Sequence, residues 1–146
     1  RNKGVVPEGF YKVPFGKGIY RRTGKDLTIV GTSHILELAV QAVDGLEKDG
    51  ITADVIDLRT LKPLDEEIIL ESLQKTGRIL IVDTGWEMGG ICAEIGCLVA
   101  EKCFSSLKSP VRRIGLPDIP TPAGFTLEQL IYPDVQRIVA VIKEMV

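Results

Sequence analysis

Any chemistry in this chain would have to come from His34, Arg59, Asp83, Trp86 and Glu87. They sit in "GTSH", "RTLKPLD" and "TGWEMGG", three short segments that each follow an apolar run. A histidine, an arginine and two carboxylates are the types that move protons or grip anions. As a catalytic set they are poor. His34 is the only histidine, which excludes a histidine-rich metal site. At a helix start it reads as a residue partly buried against the sheet. Asp54 and Asp57 are three apart in a strand, so they face opposite ways and form no acid–base pair. Gly85, Gly89 and Gly90 precede a helix, whose amino end could hold an anion. Their spacing fits neither the dinucleotide fingerprint nor the P-loop, and a plain turn is the simpler reading.

Arg59 is the better candidate. Its fork of donors suits a carboxylate, a phosphate or carbonyl oxygens at a domain seam. A local ion pair with Asp57, Asp83 or Glu87 is the alternative. Either role holds structure in place and makes no bonds.

The segments carrying these residues must be positioned by alternating strands and helices. "DLTIVG" (26–31), "ADVIDL" (53–58), "RILIVD" (78–83) and "PVRRIG" (110–115) read as buried strands. "GIYRRTG" is a further edge strand, and a glycine-containing loop follows Asp83. A helix capped by Ser33 carries Ile35, Leu38, Ala39, Ala42, Val43 and Leu46 on one face and stops at Gly50. The next helix opens with Asp65, Glu66 and Glu67 and carries Lys75 in its last turn, the order that the helix dipole favours. A helix over 90–104 follows, then a proline-rich loop, a short helical piece from Thr126, and a last helix from Pro133 to about Met145. This alternation argues for a mostly parallel sheet with helices on both faces.

The helix over 90–104 is apolar nearly all round. Ala93, Gly96, Cys97 and Ala100 form a side of small residues, and Ile91, Ile95 and Leu98, with Val99 nearby, a large apolar side. One side can face the sheet while the small one admits another helix closely. That points to a partner surface and to self-association; cover by the chain's own last helix is the alternative. Composition is that of an ordinary globular domain: 146 residues, 45% apolar, 26% charged, net charge -2. No basic stripe points to nucleic acid, and no apolar run reaches a membrane span. Three cysteines without CxxC spacing read as free thiols in a reducing compartment, here the cytoplasm. Residues 1–18, rich in glycine, proline and mixed charge, read as an interdomain linker before a domain over 19–146, so the chain reads as a piece of something longer.

With these residues in view, the chain resembles the C-terminal, transketolase-like domain of the beta subunit of thiamine-diphosphate-dependent 2-oxo-acid dehydrogenases, the pyruvate, branched-chain 2-oxo-acid and acetoin group. The resemblance runs through "VPEGFYKVPFGKG", "GKDLTIVG", "VIDLRTLKPLD", "KTGRILIVDTGWEMGGICAEIG", "SPVRRIGLPDIPTP" and "LEQLIYP". Two positions depart from it. Asp83-Thr84-Gly85 stands where a glutamate is usual, and Ala123 follows Pro122 without an aromatic residue between them.

The resemblance implies a three-layer α/β/α fold with a five-stranded mixed sheet, one strand antiparallel. It implies thiamine diphosphate and magnesium in the parent enzyme, held by other domains, and no catalytic, cofactor or metal residue in residues 1–146. It implies an assembly role, with an alpha subunit, a second beta subunit and, in some members, the acyltransferase core as partners. The isolated domain is expected to be inactive. Arg59, Trp86, Gly89, Gly90, Ala93, Gly96, Cys97 and Ala100 are the candidate interface residues. The equivalent domain of a transketolase or a deoxyxylulose-phosphate synthase is the alternative within the fold, and a free-standing interaction module is the alternative outside enzymes. A phosphoacceptor receiver needs an acidic pair where "GTSH" stands and is set aside.

Overall fold

The structure is a computed structural model and describes residue 5 and residues 7–146. Residues 1–4 and 6 of the expected linker lie outside the described residues. Strands β1 (Ile19–Arg22), β2 (Leu27–Gly31), β3 (Ala53–Asp57), β4 (Ile79–Trp86) and β5 (Arg112–Leu116) form one sheet in the order β1-β3-β2-β4-β5. β2 is parallel to β3 and β4, and β4 to β5, while β1 runs antiparallel to β3. The expected edge strand at "GIYRRTG" is therefore β1.

Strand alternation sorts side chains into two cores. On one face Leu27, Ile29, Val55, Leu80, Val82 and Ile114 meet α1 (Ser33–Leu46) and α5 (Val135–Met145). On the other, Val30, Ile56, Ile79 and Ile81 meet α2 (Glu66–Thr76) and α3 (Ile91–Cys103). Three layers result, as the alternating elements require.

The second face contains one polar island. Thr28, Asp54, Ser72 and Thr76 are all buried. Asp54 accepts from Ser72 at 2.6 Å, from Lys75 Nζ and from the Gly24 amide at 2.9 Å, while Thr28 bonds both Ser72 and Thr76. A buried carboxylate is tolerated only with such partners.

Several ends differ from the sequence expectation. Ser33 is not a cap: Thr32 holds that position without a side-chain bond, and Ser33 is the first helical residue, with φ of 61°. α1 ends at Leu46, and Gly50 closes a following 3-10 turn at positive φ. α5 starts at Val135 because Asp134 caps it, its carboxylate accepting from the Arg137 amide at 2.8 Å, so Pro133 precedes the helix. β4 runs on through Trp86, where a glycine loop was expected, pairing Trp86 with Leu116 after a register shift. The charges at the ends of α2 and its stop at Gly77 match the dipole order read from sequence.

Candidate functional site

The carboxyl ends of β2, β3, β4 and β5 carry the segments singled out above. Beyond β3, Leu58 is buried and donates its amide to the Gly31 carbonyl at 3.0 Å. The chain then reverses at Arg59. The Asp57 carboxylate accepts from the Arg59 amide at 3.0 Å, and the Thr60 amide donates to the Leu58 carbonyl. That makes a three-residue turn centred on Arg59, with φ of 56°. It is the strained form of such a turn, costly for a side chain bearing a Cβ.

The carboxylates that might have held Arg59 are occupied elsewhere. Asp57 lies 3.9 Å from Arg21, which pairs with Glu37 at 2.8 Å. Asp83 accepts from the Thr84 amide. Glu87 accepts from the Gly115 amide at 3.1 Å and from Arg137 at 3.3 Å, tying β4 to β5 and α5. Among the described residues the exposed Arg59 guanidinium has neither an ion pair nor a hydrogen bond. The local ion pair is thus not formed.

The same turn holds the segment leading into β1. The Gly16 amide donates to the Thr60 hydroxyl at 2.9 Å, which donates to the Pro63 carbonyl. The Gly18 amide donates to the buried Asp65 carboxylate at 3.0 Å. Asp65 precedes α2 yet makes no capping bond.

His34 is exposed, contrary to the expected partial burial. Asp54 is wholly buried in the polar island while Asp57 is half-buried near Arg21, which keeps the two apart as the strand period requires. Trp86 is half-exposed, and its indole donates to the Ile119 carbonyl at 3.3 Å. Gly90 opens α3 against β4: a Cβ there would lie 2.2 Å from the Trp86 carbonyl oxygen. The glycines therefore serve a tight strand-to-helix turn.

On α3 the sheet-facing residues are Cys92, Ile95, Val99 and Cys103. Burial pushes the Cys92 thiol up to about 12, helped by the charge of Asp83, so it is inert at neutral pH. Ile91 and Leu98, expected on the buried side, are only half-buried. With Leu61 and Leu64 they floor an open groove of ≈ 410 Å³ rimmed by Glu66, Glu94 and Glu101. Cys97 and Ala100 are exposed, and Ala93 and Gly96 half-covered. The last helix does not cover them: α5 packs on α1 across the sheet. Glu101 raises the Cys97 thiol above its usual range.

The short helical piece expected from Thr126 is α4 (Phe125–Ile131), which buries none of its residues. Among the described residues no group of His, Cys, Asp or Glu could hold a metal, and no helix is long and apolar enough to cross a membrane.

The family model described as transketolase, C-terminal domain, matches residues 16–138. The chain is 38% identical to the 2-oxoisovalerate dehydrogenase subunit beta of Bacillus subtilis, over 98% of this chain and 44% of that protein. It is 43% identical to the mitochondrial pyruvate dehydrogenase E1 component subunit beta of Dictyostelium discoideum, over 92% and 38%. A solved structure titled "Split gene transketolase, inactive beta4 tetramer" superposes with a TM-score of 0.79 at 29% identity, over 96% of this chain and 45% of that one. A transketolase mutant of Pichia stipitis, at 22% identity and a TM-score of 0.58, covers 89% of this chain and 18% of its own and shares the fold alone. The chain spans less than half the length of the curated relatives it matches.

Proposed function

The chain belongs to the transketolase C-terminal domain family, and on that premise we propose that it is the non-catalytic assembly domain of the beta subunit of a 2-oxo-acid dehydrogenase. The parent enzyme would decarboxylate a 2-oxo acid oxidatively and pass the acyl group to lipoamide. Thiamine diphosphate and magnesium would be held elsewhere in it, a reading supported by the lack of any His, Cys, Asp and Glu group among the described residues that could hold the metal. The protein's share of such chemistry is binding and orientation.

One observation carries the reading: the acidic residues expected near Arg59 are engaged in holding loops, while among the described residues Arg59 itself projects unpaired from a strained turn. A strained residue with a free donor fork suits capture of a carboxylate or carbonyl group on another chain or domain. The small, uncovered side of α3 at Ala93, Gly96, Cys97 and Ala100, with Trp86 and the Gly89–Gly90 turn, is the second part of the proposed seam. An alpha subunit, a second beta subunit and the acyltransferase core are the proposed partners. Self-association has support in the solved split-gene transketolase, an inactive beta4 tetramer. Residues 1–18 are proposed as the linker and 19–146 as the domain. Free Cys92, Cys97 and Cys103 support a cytoplasmic, reducing location.

The equivalent domain of a transketolase is the second reading, favoured by the split-gene structure. A chimera tests both. This chain replaces the matching C-terminal portion of the Bacillus subtilis beta subunit, which is co-expressed with its alpha subunit. Assembly with oxidative decarboxylation of 2-oxoisovalerate is the expected result. A chimera that folds but does not assemble would contradict the dehydrogenase reading.

A further inference from the structure

We propose that residues 16–18 are a latch that holds the Arg59 turn in its strained form, so that the chain entering the domain sets how Arg59 is presented. The latch itself follows from the fold; its consequence for assembly rests on the reading of Arg59 as a seam residue. A left-handed residue with a Cβ persists only where its surroundings over-determine it. On one side of Arg59 those surroundings are β3: buried Leu58 is tied to Gly31, and the Asp57 carboxylate accepts from the Arg59 amide. On the other side is Thr60, whose hydroxyl donates to the Pro63 carbonyl and accepts from the Gly16 amide, both at 2.9 Å. Of these two partners, Gly16 comes from outside the turn.

These three residues fit the turn closely. Gly16 has φ of 67°, and a Cβ on it would lie 2.8 Å from Pro63 Cγ. A Cβ on Gly18 would lie 3.1 Å from the Asp57 carbonyl oxygen and 3.2 Å from Ile68 Cγ2. Between them Lys17 lies 3.9 Å from Asp65 and 3.8 Å from Glu67, long pairs from an exposed lysine that add little. Residues 7–15, which precede the latch, are exposed throughout, Phe10 at 89% and Phe15 at 84%. A displacement of that segment therefore reaches the domain first at Gly16.

Asp65 gives the latch two states. It stands at the N-cap of α2, where a carboxylate ordinarily accepts from the amides of the first turn. Here it makes no such bond, and its carboxylate accepts from the Gly18 amide at 3.0 Å instead. Asp65 is buried, so this acceptor needs a donor in either state. With the latch open, the orphan amides of Glu67 and Ile68 offer one, and the bond lost to Gly18 is replaced by a cap. Exchanging one hydrogen bond for another leaves the two states close in free energy, and a modest pull shifts such a balance. Opening removes the outer hold on Thr60 and lets Arg59 relax from the left-handed region.

Backbone amide exchange, read residue by residue by NMR on the 146-residue chain, tests the latch in the wild type, Gly16→Val and the double variant Gly16→Val/Asp65→Ala. Gly16→Val sets a branched side chain at positive φ against Pro63, outside both cores. Exchange at the Gly18, Arg59 and Thr60 amides should then quicken together by about tenfold, the upper worth of one hydrogen bond. Ile29 and Leu80 in the sheet should exchange as in the wild type. The Glu67 and Ile68 amides should slow, and that gain should vanish in the double variant. Thr60→Val removes the Gly16 bond from its other partner without a clash and should reproduce the pattern. Unchanged exchange at Arg59 and Thr60, or a first turn of α2 that gains no protection, overturns the latch. In the chimera, Gly16→Val should impair assembly as Arg59→Ala does; normal assembly of Gly16→Val beside a failing Arg59→Ala also overturns it. If Arg59→Ala itself assembles normally, the seam reading falls while the latch stands.

Discussion

At the scale of single residues, Arg59 combines a backbone cost with an unused side chain. Arg59→Gly removes the left-handed penalty and should stabilise the chain by about 1 kcal/mol, read as a raised urea midpoint. If the guanidinium grips a partner, the same change should weaken assembly of the chimera; a gain in stability with unchanged assembly would remove Arg59 from the seam. Lys75 behaves oppositely. Its ammonium is half-exposed but pairs with wholly buried Asp54 at 2.6 Å. Lys75→Met should cost about 2 kcal/mol, less than a fully buried pair because Ser72 and the Gly24 amide still bond the carboxylate. Buried Cys92 sets a limit at high pH. Its folded value is raised above 9.0, so the unfolded thiol loses its proton first and stability falls as pH climbs above about 9. Cys92→Ala should flatten that limb of the urea midpoint against pH. Arg59 was legible as a donor at the exit of an apolar strand. Its unpaired state was not, because the competing carboxylates are claimed by backbone amides and by Arg21 and Arg137, contacts that only the fold creates.

At the scale of elements, two glycines on or beside α3 make opposite demands. Gly90 touches the Trp86 carbonyl, so Gly90→Ala should cost on the order of 3 kcal/mol or more in thermal or urea unfolding. Gly96 has room: a Cβ would meet Val111 at 3.8 Å and Ile81 at 4.0 Å, ordinary contacts. Gly96→Ala should therefore stabilise the helix by about 0.5–1 kcal/mol. The order and type of the elements followed from apolar runs and charge: the end charges of α2 and the wholly buried run of β2 are as the sequence reads. Ends were less legible. β4 continues through "TGW" because a register shift lets Trp86 pair with Leu116, and no local propensity encodes a partner strand. α3 turns Cys92 and Cys103 inward and leaves Leu98 half-covered, a rotation set by the sheet beneath it.

At the scale of the whole molecule, the fold was legible because each β–α unit carries its own signals and a parallel sheet assembles them in one way. The proposed assembly role was reached by subtraction, from a single histidine and, among the described residues, no acidic pair facing a pocket. The structure adds what subtraction could not: the carboxyl end of the sheet spends Asp57, Asp83 and Glu87 on its own loops. The account's central claim is that this domain is held by other chains and performs no chemistry alone. The most direct measurement mixes the pure chain with thiamine diphosphate, magnesium and a series of 2-oxo acids, and records binding heat and carbon dioxide release. Neither signal is expected; turnover by the chain alone would contradict the account.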